Sequence, residues 1–148
     1  MSEHILSLNK KEVYDEVAKT TSYTGAKKDD SKEYERIFAS EDDKKMLERF
    51  WQESKNTICN SLKRFVVSEE ETGESYTLTL ELSSSFDDAL LSSMQRSLFS
   101  FFVMNITSKW FVIANKPEAT EYASAAATNA EDIIRKAFFK KKPQRPTY

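Results

Sequence analysis

Apolar side chains recur at three- and four-residue steps through most of this chain and switch to strict alternation once, which predicts a mainly helical protein with a small β element. Met46, Leu47, Phe50, Trp51, Ile58, Leu62 and Phe65 trace one face of a long helix, with Ser54 filling the gap. Tyr76, Leu78, Leu80 and Leu82 then alternate with Thr77, Thr79 and Glu81, the pattern of a strand with one buried face. Val66 and Val67 supply a short partner strand. The expected hairpin spans about 65–82, with an acidic tip at Glu69, Glu70, Glu71, Gly73 and Glu74. Leu90, Leu91, Met94, Leu98, Phe101, Phe102, Ile106, Trp110 and Ile113 form one wide face of a third helix reaching about Ala114, the most apolar stretch of the chain. A fourth helix, from about Glu118 to Phe139, turns Ala119, Tyr122, Ala123, Ala126, Ala130, Ile133, Ala137 and Phe138 inward. Its alanines allow a close approach to the third helix.

The flanks read differently. Residues 1–8 look like a lead-in, and Asn9 with Glu12 three positions on reads as a capping box for a first helix from Lys10 to about Thr20. A polar connector follows from Thr21 to Lys32, containing Gly25, then a short apolar turn at Tyr34, Ile37 and Phe38. Ser40 before Glu41, Asp42 and Asp43 marks the start of the long second helix, since a hydroxyl caps its free N–H groups and carboxylates suit the positive end of its dipole. The expected fold is therefore mainly α: a bundle of about four helices, a small β-hairpin between the second and third long ones, and an extended basic C-terminal tail. One domain covers 1–139, and 140–148 form the tail.

Composition narrows the chemistry. Two glycines, Gly25 and Gly73, cannot build a phosphate-cradling loop, and His4 with Cys59 falls short of a zinc ligand set. A lone histidine near the N-terminus leaves no ordinary acid–base or nucleophile triad, so neither an enzyme, a cofactor nor a metal is expected. The acidic run at 69–74 lacks the alternate carboxylates of a calcium loop. Asp87 with Asp88, and Glu131 with Asp132, are explained by helix capping or a solvated face. Trp51 and Trp110 belong to a helical stripe and read as core. Asn105, Thr107, Ser108 and Lys109 interrupt the third helix short of a membrane span, and no leader precedes it, so synthesis in the cytoplasm is expected.

Charge is unevenly placed. The net charge is −2, yet Arg135 to Tyr148 carries six basic residues and no acid, leaving −8 on the remainder. Phe139, Lys140, Lys141, Lys142, Pro143, Gln144, Arg145, Pro146, Thr147 and Tyr148 form the candidate docking segment, stiffened by its prolines. A solvated terminus and a salt-sensitive contact with nucleic acid are the other readings of the same residues. Glu69, Glu70, Glu71, Gly73 and Glu74 are the candidate subunit contact, against a plain solvated turn.

The order of elements, together with Lys109–Trp110–Phe111, the turn Asn115–Lys116–Pro117–Glu118, Tyr122 and Ala123, and the ending Lys142–Pro143–Gln144–Arg145–Pro146, resembles the head-tail connector, or adaptor, proteins of tailed bacteriophages, of the type found in phages of Bacteroides-like gut bacteria. The likeness covers about residues 40 to 148. It implies a structural virion protein at the head-tail interface: a homo-oligomeric ring, twelvefold by that likeness, beneath the portal protein. Such a ring prolongs the channel through which DNA passes without sequence-specific binding, and it meets tail or further connector proteins. The tail from Phe139 to Tyr148 would reach the portal or a neighbouring subunit. Another portal-proximal or tail-completion protein, and a cytoplasmic helical module that binds nucleic acid or regulates, are the alternatives.

Overall fold

A computed structural model describes residues 2–22, 41–114 and 116–140. In chain order these form β1 (Ser2–Asn9), α1 (Lys10–Ser22), α2 (Glu41–Ser61), β2 (Val66–Thr72), β3 (Ser75–Leu82), a 3-10 turn (Asp88–Leu90), α3 (Leu91–Ile113) and α4 (Ala119–Ala137). The connector from Tyr23 to Ser40, including Gly25, Tyr34, Ile37, Phe38 and the Ser40 cap, lies outside the described residues, as do Asn115 and the tail from Lys141.

The sheet corrects the expected fold class. In place of a helical bundle carrying a small two-stranded hairpin, the chain builds a three-stranded antiparallel sheet in the order β1-β3-β2, and its first strand is the N-terminus that reads as a lead-in. β1 pairs with β3 along its whole length, from Ser2 opposite Leu82 to Asn9 opposite Ser75. The reason is physical: a hairpin alone would leave the second edge of the apolar strand β3 without hydrogen-bond partners. β1 satisfies that edge and adds buried Leu6 and Leu8 to the face that Tyr76, Leu78, Leu80 and Leu82 turn toward the helices.

The helices cover this inner face. α3 runs through the centre, burying Met94, Leu98, Phe101, Phe102, Val103 and Ile106, and lies along α4, whose buried Ala126, Ala130 and Ala137 admit a close approach. Phe102 sits 4.9 Å from the Trp51 ring and 5.9 Å from Tyr76, joining α2, α3 and the sheet in one aromatic cluster. Asn9 Oδ1 accepts from the Glu12 backbone N–H at 3.0 Å, capping α1 directly out of β1. The structure departs from the pattern at several points: α4 ends at Ala137 and leaves Phe138 and Ala123 exposed. α2 stops at Ser61, so Leu62 and Phe65 are buried from the turn beyond it. Ile113, on the same helical stripe as Ile106, is 56% exposed at the last residue of α3, where buried Phe111 makes the contact with Tyr122 of α4 instead.

Candidate functional site

The two candidate regions lie at opposite ends of the hairpin. At one end, α4 closes at Ala137 and the chain leaves through Phe138, Phe139 and Lys140. Lys140 forms an antiparallel bridge with Phe86, and the Asp87 N–H donates to the Phe139 carbonyl at 3.3 Å, so the root of the tail is held in extended form. Phe86 is buried and meets the His4 ring edge-on at 5.0 Å, while His4 Nε2 lies 2.9 Å from Asp88 Oδ1. The root is thereby fastened to the start of β1. Phe138 packs edge-on against Phe65 at 5.0 Å, with the Arg64 guanidinium carbon 5.1 Å from the Phe138 ring centre, a cation–π contact. Phe138 and Phe139 nevertheless remain 51% and 54% exposed, and with Arg135 and Lys140 they line a shallow open depression. An apolar pair ringed by Arg64, Arg135 and Lys140 suits an acidic partner that carries apolar groups. Lys141, Lys142, Pro143, Gln144, Arg145, Pro146, Thr147 and Tyr148 lie outside the described residues.

At the other end, the acidic run is mostly strand. Glu69, Glu70 and Glu71 belong to β2, and the turn is made at Gly73, whose φ of 59° is the left-handed conformation that glycine adopts without strain. A register shift between Val66 and Ser68, a β-bulge, reverses the phase of the strand. Glu69 and Glu71 consequently face α2, and Glu70 faces outward opposite Thr77. Glu71 accepts from Trp51 Nε1 at 2.6 Å and from Lys55 Nζ at 2.9 Å. Glu69 accepts from the Tyr76 hydroxyl at 2.8 Å and the Cys59 thiol at 3.0 Å. Lys10 pairs with Glu48, which also accepts from the Tyr14 hydroxyl at 3.2 Å, so α1 joins the same network. The five acidic-run candidates are all exposed, but Glu69 and Glu71 turn their carboxylates onto their own molecule.

Titration follows that geometry. Burial alone would raise Glu71, but the hydrogen bonds from Lys55 and Trp51 outweigh it and hold the carboxyl below the usual range. The Cys59 thiol lowers Glu69 by donating to it, more than burial raises it. Burial, and then the adjoining Glu69 carboxylate, push Cys59 up to about 11, and the same causes with the Cys59 contact push Tyr76 far above its ordinary value. A thiol so raised is a hydrogen-bond donor at neutral pH, the opposite of an activated nucleophile. The cluster therefore locks α1 and α2 onto the sheet.

Arg64 escapes sequence reasoning, because only the fold brings it onto Phe138, 74 positions away. The outer residues of β1 escape it as well, since the strand itself does. No helix among the described residues is long and apolar enough to cross a membrane. No family model, curated protein or solved structure matches the chain.

Proposed function

We propose that this chain is a structural subunit of a tailed-phage particle, a ring-forming connector between portal and tail that works through docking surfaces. The observation that carries the reading is the C-terminal end: an exposed Phe138–Phe139 pair ringed by Arg64, Arg135 and Lys140, from which a basic, proline-containing segment departs. An exposed aromatic pair costs solubility unless a partner covers it, and a positive rim selects an acidic partner and steers it. A rigid body secured by an internal polar network, with one sticky end, is what a ring subunit needs. The partners under this reading are further copies of the chain, the portal protein, and tail or further connector proteins.

The test is co-expression with the portal protein of the same particle, followed by mass photometry and imaging of the purified assembly. A ring of copies seated on the portal is the expected result. Failure of the chain to join the portal, and its absence from intact particles, would overturn the reading. The Arg64–Phe138 contact favours a second reading, a single-stranded nucleic-acid platform of stacked aromatics and cations. It predicts gel-shift affinity that falls steeply with salt, and no retardation at low salt removes it.

A further inference from the structure

The sheet has a second face that no described element covers. Register places Glu3 opposite Glu81, Ile5 opposite Thr79 and Ser7 opposite Thr77 on that face, with Ser68 and Glu70 continuing it across β2. Glu3, Ile5, Ser7, Ser68, Glu70 and Glu81 are all exposed, Ile5 by 60%. The face carries no lysine or arginine, and among the described residues none of its three glutamates has a cationic partner. Glu3 and Glu81 stand directly opposite each other, a like-charge pair that destabilises an isolated sheet and that a cation laid between them would relieve.

We propose that this open face receives the basic C-terminal end of a second copy of the chain. The proposal rests on the ring reading above and supplies its subunit contact. Charge selects the occupant: from Arg135 onward the chain has six basic residues and no acid, and Lys140, Lys141, Lys142 and Arg145 follow the exposed Phe138–Phe139 pair, which suits Ile5 as the positive groups suit Glu3, Glu70 and Glu81. The occupant is a neighbour's segment and not the molecule's own, for a geometric reason. The root packs on the helix side through Phe138 and Phe65, and Lys140 is bridged to Phe86, so reaching its own outer face would require the chain beyond Lys140 to double back around the end of the sheet. Two different surfaces meeting in this way make a heterologous contact, the kind that closes into rings.

Sedimentation of the full chain over a range of concentrations and salt tests the contact. Wild type is expected to self-associate at about 50 mM salt and to do so at least about tenfold more weakly at about 500 mM, where screening shortens to a few ångströms. Glu3→Lys with Glu81→Lys, and separately Lys141→Glu with Lys142→Glu and Arg145→Glu, each abolish association. An equimolar mixture of the two variants recovers it, and so does one chain carrying all five exchanges, which rules out misfolding as the cause of the losses. A mixture that stays monomeric, association indifferent to either set of exchanges, or a wild type monomeric at every concentration overturns the proposal. If the outer-face exchanges leave assembly on the portal intact, this contact fails while the connector reading stands.

Discussion

Asp132 offers the sharpest test of how α4 is held on α3. Its Oδ2 accepts from the Ser97 hydroxyl and from Lys136 Nζ, both at 2.7 Å, and Oδ1 accepts from Arg135 Nη2 at 2.8 Å. Lys136 reaches on to the Ser93 hydroxyl, so two residues of α3 are bound through one carboxylate and its ammonium partner. Burial would raise Asp132, but the bonds from Lys136, Ser97 and Arg135 prevail and bring it from 3.8 to about 2. That lowering corresponds to about 2.5 kcal/mol at most, and solvent access to the pair reduces the expected share to about 1 kcal/mol. Because the folded value lies below the unfolded one, this stability is fully present above pH 3.8 and is lost as the pH falls through about 2. Asp132→Asn keeps the shape and removes the charge. Urea unfolding should place the variant about 1 kcal/mol below wild type at pH 7, a shift in midpoint temperature of about 3 °C, with the gap closing as the pH approaches 2. A gap that stays constant into acid, or none at pH 7, would refute the charge argument.

Three further outcomes follow from the packing. Cys59 should react with iodoacetamide about a hundredfold more slowly than an ordinary thiol at pH 7.5, its thiol being raised to about 11, and urea should abolish that protection. Gln95 donates to the Ser7 carbonyl and accepts from the Ser7 N–H at 2.8 Å, closing the open edge of β1; Gln95→Ala should cost about 1 kcal/mol and speed hydrogen exchange at the Ser7 amide by tenfold or more. Ile106→Ala should cost about 2–5 kcal/mol in urea titration, whereas Ile113→Ala on the same stripe should cost under about 0.5 kcal/mol, because Ile106 is fully buried and Ile113 is not.

Periodicity made the helical faces legible. Leu47, Trp51 and Ile58 on α2, and Leu98, Phe102 and Ile106 on α3, are buried where their spacing places them, because a long helix repeats its signal over several turns. The sheet was partly hidden. β1 turns His4, Leu6 and Leu8 inward, but Ile5 stands on the outer face among Glu3 and Ser7 and breaks the alternation that marks a strand. Its partner, β3, lies more than 60 residues away in sequence, so nothing local announces the pairing. In β2 the run from Glu69 to Glu71 has the composition of a solvated turn. Strand pairing prevailed because β3 offers a full edge of N–H and C=O groups, and because Lys55, Trp51 and Tyr76 provide for the carboxylates. The basic C-terminal end was legible as a charge asymmetry. Its aromatic centre was not, since Arg64, Phe65 and Phe138 meet only after α4 has folded back along α3.

The bulge between Val66 and Ser68 makes neighbouring glutamates behave differently, and that difference can be measured. Regular alternation onward from Val66 would send Glu70 toward α2; the phase reversal sends Glu69 and Glu71 there and leaves Glu70 on the open face. Glu71→Gln replaces one acceptor oxygen with an amide that must point its donors at Trp51 Nε1 or Lys55, so either the buried Trp51 N–H or the largely buried Lys55 ammonium loses its partner at about 1–2 kcal/mol. Glu70→Gln changes a side chain with no such bonds and should stay within about 0.5 kcal/mol. Trp51 fluorescence followed through urea unfolding reads both variants, and the Glu71 variant alone should also alter the native emission. Equal effects from the two substitutions would mean that the phase of β2 is not the one described, and the acidic face assigned to a neighbour's tail would then lose Glu70 and gain Glu69 and Glu71.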